Sequence, residues 1–129
     1  MLHEDITDKI IKGFFKVYNT LGYGFLEKVY ENALMHELRK QGLVVQPQQL
    51  IRVHYDQVVV GDYFADLLVA NKVIVELKSA QSISADHIAQ LMNYLKATDI
   101  EVGLLLNFGP NAQFKRRLLT NDKKPNLHP

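Results

Sequence analysis

The chain contains no cysteine, which excludes disulfides and thiolate metal centres but says little about the cellular compartment. No apolar stretch is long enough to span a bilayer, and Met1 to Lys9 reads as an acidic start rather than a signal peptide. The expectation is a cytoplasmic protein with no membrane association. An excess of either charge is missing too: 15 Lys and Arg against 14 Asp and Glu leave a net value of +1, so no global basic field announces nucleic acid. No internal repeat, low-complexity tract, phosphate-cradling glycine loop, Cys/His zinc spacing or nucleophile elbow is present. What is present suits one soluble globular domain with a sizeable core: 129 residues, 47% of them hydrophobic and 22% charged. The electrostatic exception is local, in Lys115, Arg116, Arg117, Lys123 and Lys124.

Ile6, Ile10, Ile11, Phe14, Val17, Tyr18 and Leu21 recur at helical spacing, with Asp5 or Thr7 as N-cap. Gly22-Tyr23-Gly24 interrupts the pattern. A second helix follows through Leu26, Val29, Tyr30, Ala33, Leu34 and Leu38 and stops at Gly42. Glu27 lies one position off its apolar stripe, in the first turn, where the helix dipole favours any carboxylate by about 0.3 to 1 kcal/mol. Leu43 to Gln49, with Pro47 and three glutamines, reads as an edge strand or an approach segment. Leu50 to Tyr55 and Val58 to Val60 flank Asp56-Gln57, while Phe64 to Val69 and Val73 to Leu77 flank Ala70-Asn71-Lys72, so an antiparallel meander is expected. His54, alone on its strand, is assigned no role. Ser84 is a good N-cap for a helix running to Ala97, with Ile88, Leu91, Met92 and Leu95 on its apolar face. His87, Gln90 and Tyr94 share a neighbouring face, as polar residues at a helix border commonly do. Val102 to Leu106 is a buried strand before the turn Asn107-Phe108-Gly109-Pro110, which makes a strand, helix, strand crossover. Phe114 to Leu119 is a last strand or helical turn. The chain thus divides into a domain over 1–119 and a loose tail over 120–129.

The chemistry concentrates between Tyr63 and Ser79. Alternation along Val73 to Lys78 sends Ile74, Glu76 and Lys78 to one face, and pairing about Asn71 brings Asp66 beside Glu76. Two carboxylates about 4 Å apart at an effective dielectric of about 20 repel by roughly 4 kcal/mol. A divalent cation relieves that repulsion, and carboxylate oxygens suit Mg²⁺ or Mn²⁺, with the lysine left to orient or activate a water. The plainer account is a Glu/Lys ion pair on a wet sheet face, worth about 0 to 1 kcal/mol. Against it stands the setting, nearly continuous apolar runs in which an unpartnered charge is costly.

These residues resemble the core of the PD-(D/E)xK nuclease superfamily. Within it the similarity is to the GxxExxY family, whose signature reads here Gly24-Phe25-Leu26-Glu27-Lys28-Val29-Tyr30. Further matching segments are Ala65-Asp66-Leu67-Leu68-Val69, Val75-Glu76-Leu77-Lys78, Ala89 to Leu95 and Val102 to Gly109, in register over Ile10 to Leu119. One segment departs: Phe114-Lys115-Arg116-Arg117 stands where a Gly-Ile-Lys-Arg-like stretch is expected. The resemblance implies an α/β, restriction-endonuclease-like core, a central mixed β-sheet flanked by α-helices. It implies Glu27, Asp66, Glu76 and the backbone carbonyl of Leu77 as ligands of Mg²⁺ or Mn²⁺, with Lys78 positioning the attacking water. Gln90 and Tyr94 would line the same cleft. The implied reaction is metal-dependent hydrolysis of nucleic-acid phosphodiesters, on DNA ahead of RNA, with a homodimer or larger assembly supplying basic surface that so small a net charge lacks. The alternative is a non-catalytic nucleic-acid-binding or regulatory, partner-binding module that keeps the fold.

Overall fold

Two strands of this chain are apolar on both sides, and the architecture follows from covering them. The computed structural model describes residues 1–124. In chain order the elements are α1 (Glu4–Leu21), α2 (Glu27–Lys40), β1 (Val45–Tyr55), β2 (Val58–Val69), β3 (Val73–Lys78), α3 (Ala85–Ala97), β4 (Val102–Phe108) and β5 (Ala112–Leu118), followed by a 3-10 turn at Asn121–Lys123. The sheet runs β1-β2-β3-β4-β5, with β3 and β4 parallel and every other pair antiparallel. This is the mixed, restriction-endonuclease-like α/β sheet that the resemblance implies. Parallel β3 and β4 need a long crossover, and α3 supplies it.

Helices cover both faces. Ile10, Phe14 and Val17 of α1 and Leu34 and Leu38 of α2 pack with Val73, Val75, Leu77, Leu104 and Leu106 on one side. On the other, Leu91, Tyr94 and Leu95 of α3 pack with Ile74 and Leu105. The alternation expected along β3 is therefore realised, with Glu76 and Lys78 on the α3 side.

Several boundaries move. The N-cap of α1 is His3, whose carbonyl accepts from Ile6 and Thr7; Asp5 lies in the first turn instead, and Thr7 is buried with its hydroxyl bonded to the Glu4 carbonyl. Val58 to Val60 and Phe64 to Val69 are one strand, because Gly61 and Asp62 pair in register with Val53 and Arg52. The approach segment before Leu50 joins the sheet from Val45 as the start of edge strand β1. Asn107 and Phe108 extend β4 rather than forming a turn, and β5 is a full strand. Of the tail, Lys124 is buried and its Nζ donates to the carbonyls of Thr98 and Ile100; residues 125–129, which the tail expectation also covers, lie outside the described residues.

One irregularity positions the site. Val45 and Leu67 face α1 and α2, yet Ile51 and Ala65, also odd-numbered, face α3. The ribbon changes face between the pairs Pro47–Leu67 and Gln49–Ala65, where Gln48 adopts a left-handed backbone (φ 52°) opposite Asp66. Beyond that point β1 and β2 pair with each other, while the β2–β3 ladder ends at Leu67–Val75.

Candidate active site

Where β2 and β3 part, two carboxylates take over the ladder. The Asp66 backbone N–H donates to Glu76 Oε1 at 2.8 Å, and the Leu77 N–H donates to Asp66 Oδ2 at 2.8 Å. Each side chain thus satisfies the opposite strand's main chain. Asp66 Oδ1 and Glu76 Oε2 have no hydrogen-bond partner among the described residues.

Glu27 arrives from the other side of the sheet. It is the first residue of α2, exposed rather than tucked against the core, and its Oε2 accepts from the Ser79 N–H at 3.1 Å, one residue past Lys78. Its position depends on Tyr30, which is fully buried and stacked on Phe108 with ring centroids 4.4 Å apart. The Tyr30 hydroxyl donates to the Gly22 carbonyl at 2.6 Å and accepts from the Phe25 N–H at 3.2 Å, so it pins the connector that delivers Glu27. The segment after Lys78 is fixed as well. Buried Asn107 accepts from the Ala80 N–H and donates to the Ala80 carbonyl, both at 2.9 Å. Gly109 permits this approach, since a Cβ there would sit 1.8 Å from the Ala80 oxygen.

Sequence reasoning passed over Glu31 as a site residue. It is buried, accepts from Lys28 Nζ at 2.5 Å and from Gln48 Nε2 at 2.9 Å, and its charge acts on Asp66. Its spacing of four from Glu27 was the available signal, since that puts both on one side of α2. Asn107 carried a weaker one, a polar residue closing an all-apolar strand.

On the α3 side Lys78 Nζ donates to Gln90 Oε1 at 3.3 Å, and among the described residues it bridges to no carboxylate. That removes the plain Glu76–Lys78 ion pair. Tyr94, one turn beyond Gln90, is buried and within range of both Glu76 and Asp66. The third polar residue of that face, His87, is engaged elsewhere: its Nδ1 accepts from the Ser84 N–H while Ser84 Oγ accepts from the His87 N–H, a capping box. Behind Gln90 and Tyr94 opens a cleft of about 520 Å³ between α3 and the outer β1–β2 ribbon, lined also by Arg52, His54, Tyr63, Asp86 and Asn93.

Burial, then the neighbouring Asp66 charge, pushes the Glu76 carboxyl up to about 8. Asp66 is raised chiefly by burial, against the Leu77 N–H that favours its charge. Burial and the two carboxylates push the Tyr94 hydroxyl to about 12, so it stays a neutral donor. A pair that resists ionising together, with an unbonded oxygen on each member, fits a hard divalent cation in its donor chemistry. Among the described residues no three carboxylate or imidazole groups yet converge into a finished cation site. Asp66 and Glu76 form the pair, and Glu27 stands at its rim.

Residues 4–118 match the family model of the PD-(D/E)XK nuclease superfamily. The crystal structure of SSO0001 is similar over 75% of this chain and 52% of its own, with a TM-score of 0.57 and 20% identity. The chain therefore spans about half the length of that protein, and the likeness concerns the fold. No curated protein matches the chain.

Proposed function

Since this chain belongs to the PD-(D/E)XK nuclease superfamily, we propose that it is a metal-dependent nuclease of the GxxExxY type, a cytoplasmic enzyme hydrolysing phosphodiesters of DNA in preference to RNA. The observation that carries this reading is the reciprocal Asp66–Glu76 pair, with Lys78 bonded to Gln90 rather than to an acid. Glu27, Asp66, Glu76 and the Leu77 carbonyl would hold Mg²⁺ or Mn²⁺. When bound, the ion would acidify the attacking water and offset charge on the scissile phosphate.

The chain's own groups divide the remaining work. Lys78, free of a carboxylate partner and steered by Gln90, points its ammonium at the water or at a phosphate oxygen. Tyr94, kept protonated, donates a hydrogen bond to a non-bridging oxygen. Glu27, tied to the Ser79 N–H, ties the end of β3 to α2. The water oxygen bonds to phosphorus as a P–O ester bond breaks, leaving a phosphomonoester and a hydroxyl.

Single-turnover cleavage of single- and double-stranded DNA and RNA, with and without Mn²⁺, tests the proposal. Wild type should cut only with the ion, and Lys78→Ala should bind the ion yet cut about 10² to 10³ times more slowly, as for a lost electrostatic contact. A folded Lys78→Ala protein as fast as wild type ends that assignment. Nucleic-acid binding without any metal-dependent cleavage favours the non-catalytic module instead.

A further inference from the structure

The cleft behind Gln90 and Tyr94 is not needed for the chemistry just described, yet it opens directly from it. Gln90 bonds Lys78 and also lines the cleft, and Tyr94 faces the two carboxylates and lines it too. Its opposite wall is the part of the β1–β2 ribbon beyond the change of face at Gln48, which directs Ile51, Val53 and Tyr63 towards α3. The Tyr63 ring is half exposed and lies 6.1 Å from the Tyr94 ring at 46°. It is also laid back over Gly61, where a Cβ would stand 2.9 Å from Tyr63 Cε2. A half-exposed aromatic ring thus lines the cavity and rests against the Gly61 backbone. Exposed Asn93 adds an amide with both donor and acceptor, and Lys96 puts positive charge on the lining.

We propose that this cleft takes one unstacked nucleobase of the strand being cut, which makes single-stranded nucleic acid the preferred substrate; the inference rests on the nuclease reading above. A volume of about 520 Å³ is in the range of small-molecule sites and ample for one base. Aromatic rings bind bases through their π-faces, amides read base edges, and cations take the flanking phosphates. A base inside a duplex is stacked and paired and cannot enter. Tyr63 is the platform, Asn93 reads the edge, and Lys96 holds the backbone beside the base.

The test pairs an abasic scan with substitution of Tyr63. Binding of a short labelled single-stranded oligonucleotide is measured without divalent ions, with an abasic site moved along it, for wild type, Tyr63→Ala and Tyr63→Phe. One abasic position should weaken binding to wild type by about 5- to 150-fold, the range for a lost base–aromatic stack. The same position should have little further effect in Tyr63→Ala, while Tyr63→Phe should behave as wild type. Asn93→Ala, at an exposed position, should alter the preference among the four bases there and provides a readout should Tyr63→Ala fail to fold. Abasic sites tolerated everywhere, or a duplex bound as tightly as its single strand, overturn the base pocket while metal-dependent cleavage leaves the nuclease reading intact. A protein that neither binds nor cuts nucleic acid overturns both.

Discussion

Glu76 is held where an ionised carboxylate is least favoured, buried and opposite Asp66. Its carboxyl is raised from 4.5 to about 8 in the folded protein. Between those values the folded state keeps a proton that the unfolded state has lost, so without divalent ions stability should fall as pH rises through that window. Glu76 alone contributes a slope of at most about 1.4 kcal/mol per pH unit, and Asp66, shifted in the same direction, adds to it. Glu76→Gln keeps an oxygen to accept from the Asp66 N–H and removes the charge. In chelator-treated protein it should flatten the decline and be more stable than wild type near about pH 8, as read by denaturant unfolding at several pH values. Mn²⁺ should reduce the slope in wild type and change the variant less. Equal slopes in both proteins would mean that Glu76 ionises freely and that the pair is not under electrostatic load.

At the scale of elements, the site depends on how the α1–α2 connector and the end of β3 are pinned. Tyr30→Phe keeps the ring on Phe108 but leaves the Gly22 carbonyl and the Phe25 N–H without the hydroxyl. A loss of about 1 to 3 kcal/mol is expected in urea unfolding. Because Glu27 follows that connector, a weaker Mn²⁺ response should accompany it in calorimetry; unchanged stability and an unchanged response would show that the connector holds itself. Much of this layout was legible. Counting about Asn71 set Asp66 opposite Glu76, period-two alternation put Glu76 and Lys78 on one face, and Ser84 marked the start of α3. What was not legible lies in backbone events without a compositional signature. A left-handed glutamine at 48 turns the ribbon over, and nothing in a run of glutamines announces it. Gly61-Asp62 reads as a break but continues β2, because both residues pair with β1 and the ladder absorbs the irregularity as a register shift just beyond, between Val53 and His54. Glu31 is buried by partners its own helix spacing does not reveal, since Gln48 comes from β1 and bonds it across the fold while Lys28 pairs with it.

For the whole molecule, the basic residues near the C-terminal end do less for nucleic acid than their number suggests. Arg116 donates to the Leu2 carbonyl, Arg117 to the Arg116 carbonyl, and Lys124 is buried against Thr98 and Ile100. Around the candidate site and its cleft stand Lys78 and Lys96, whereas Arg52 pairs with Asp62 at 3.3 Å on the ribbon face away from α3. Two phosphate contacts on a single strand give a slope of log affinity against log salt of about −1.4. Titrating a labelled oligonucleotide across salt concentrations measures it. Lys96→Ala should make the slope shallower by about 0.7. Lys12→Ala, on α1 and so on the opposite face of the sheet, should leave it unchanged. A slope steeper than about −5 cannot come from these residues, and it would mean that a second copy or further basic residues of this chain add contacts. Sedimentation at the same protein concentration then separates the two sources, because a homodimer forms without nucleic acid and a steep slope from a monomer would place the extra contacts elsewhere on this chain.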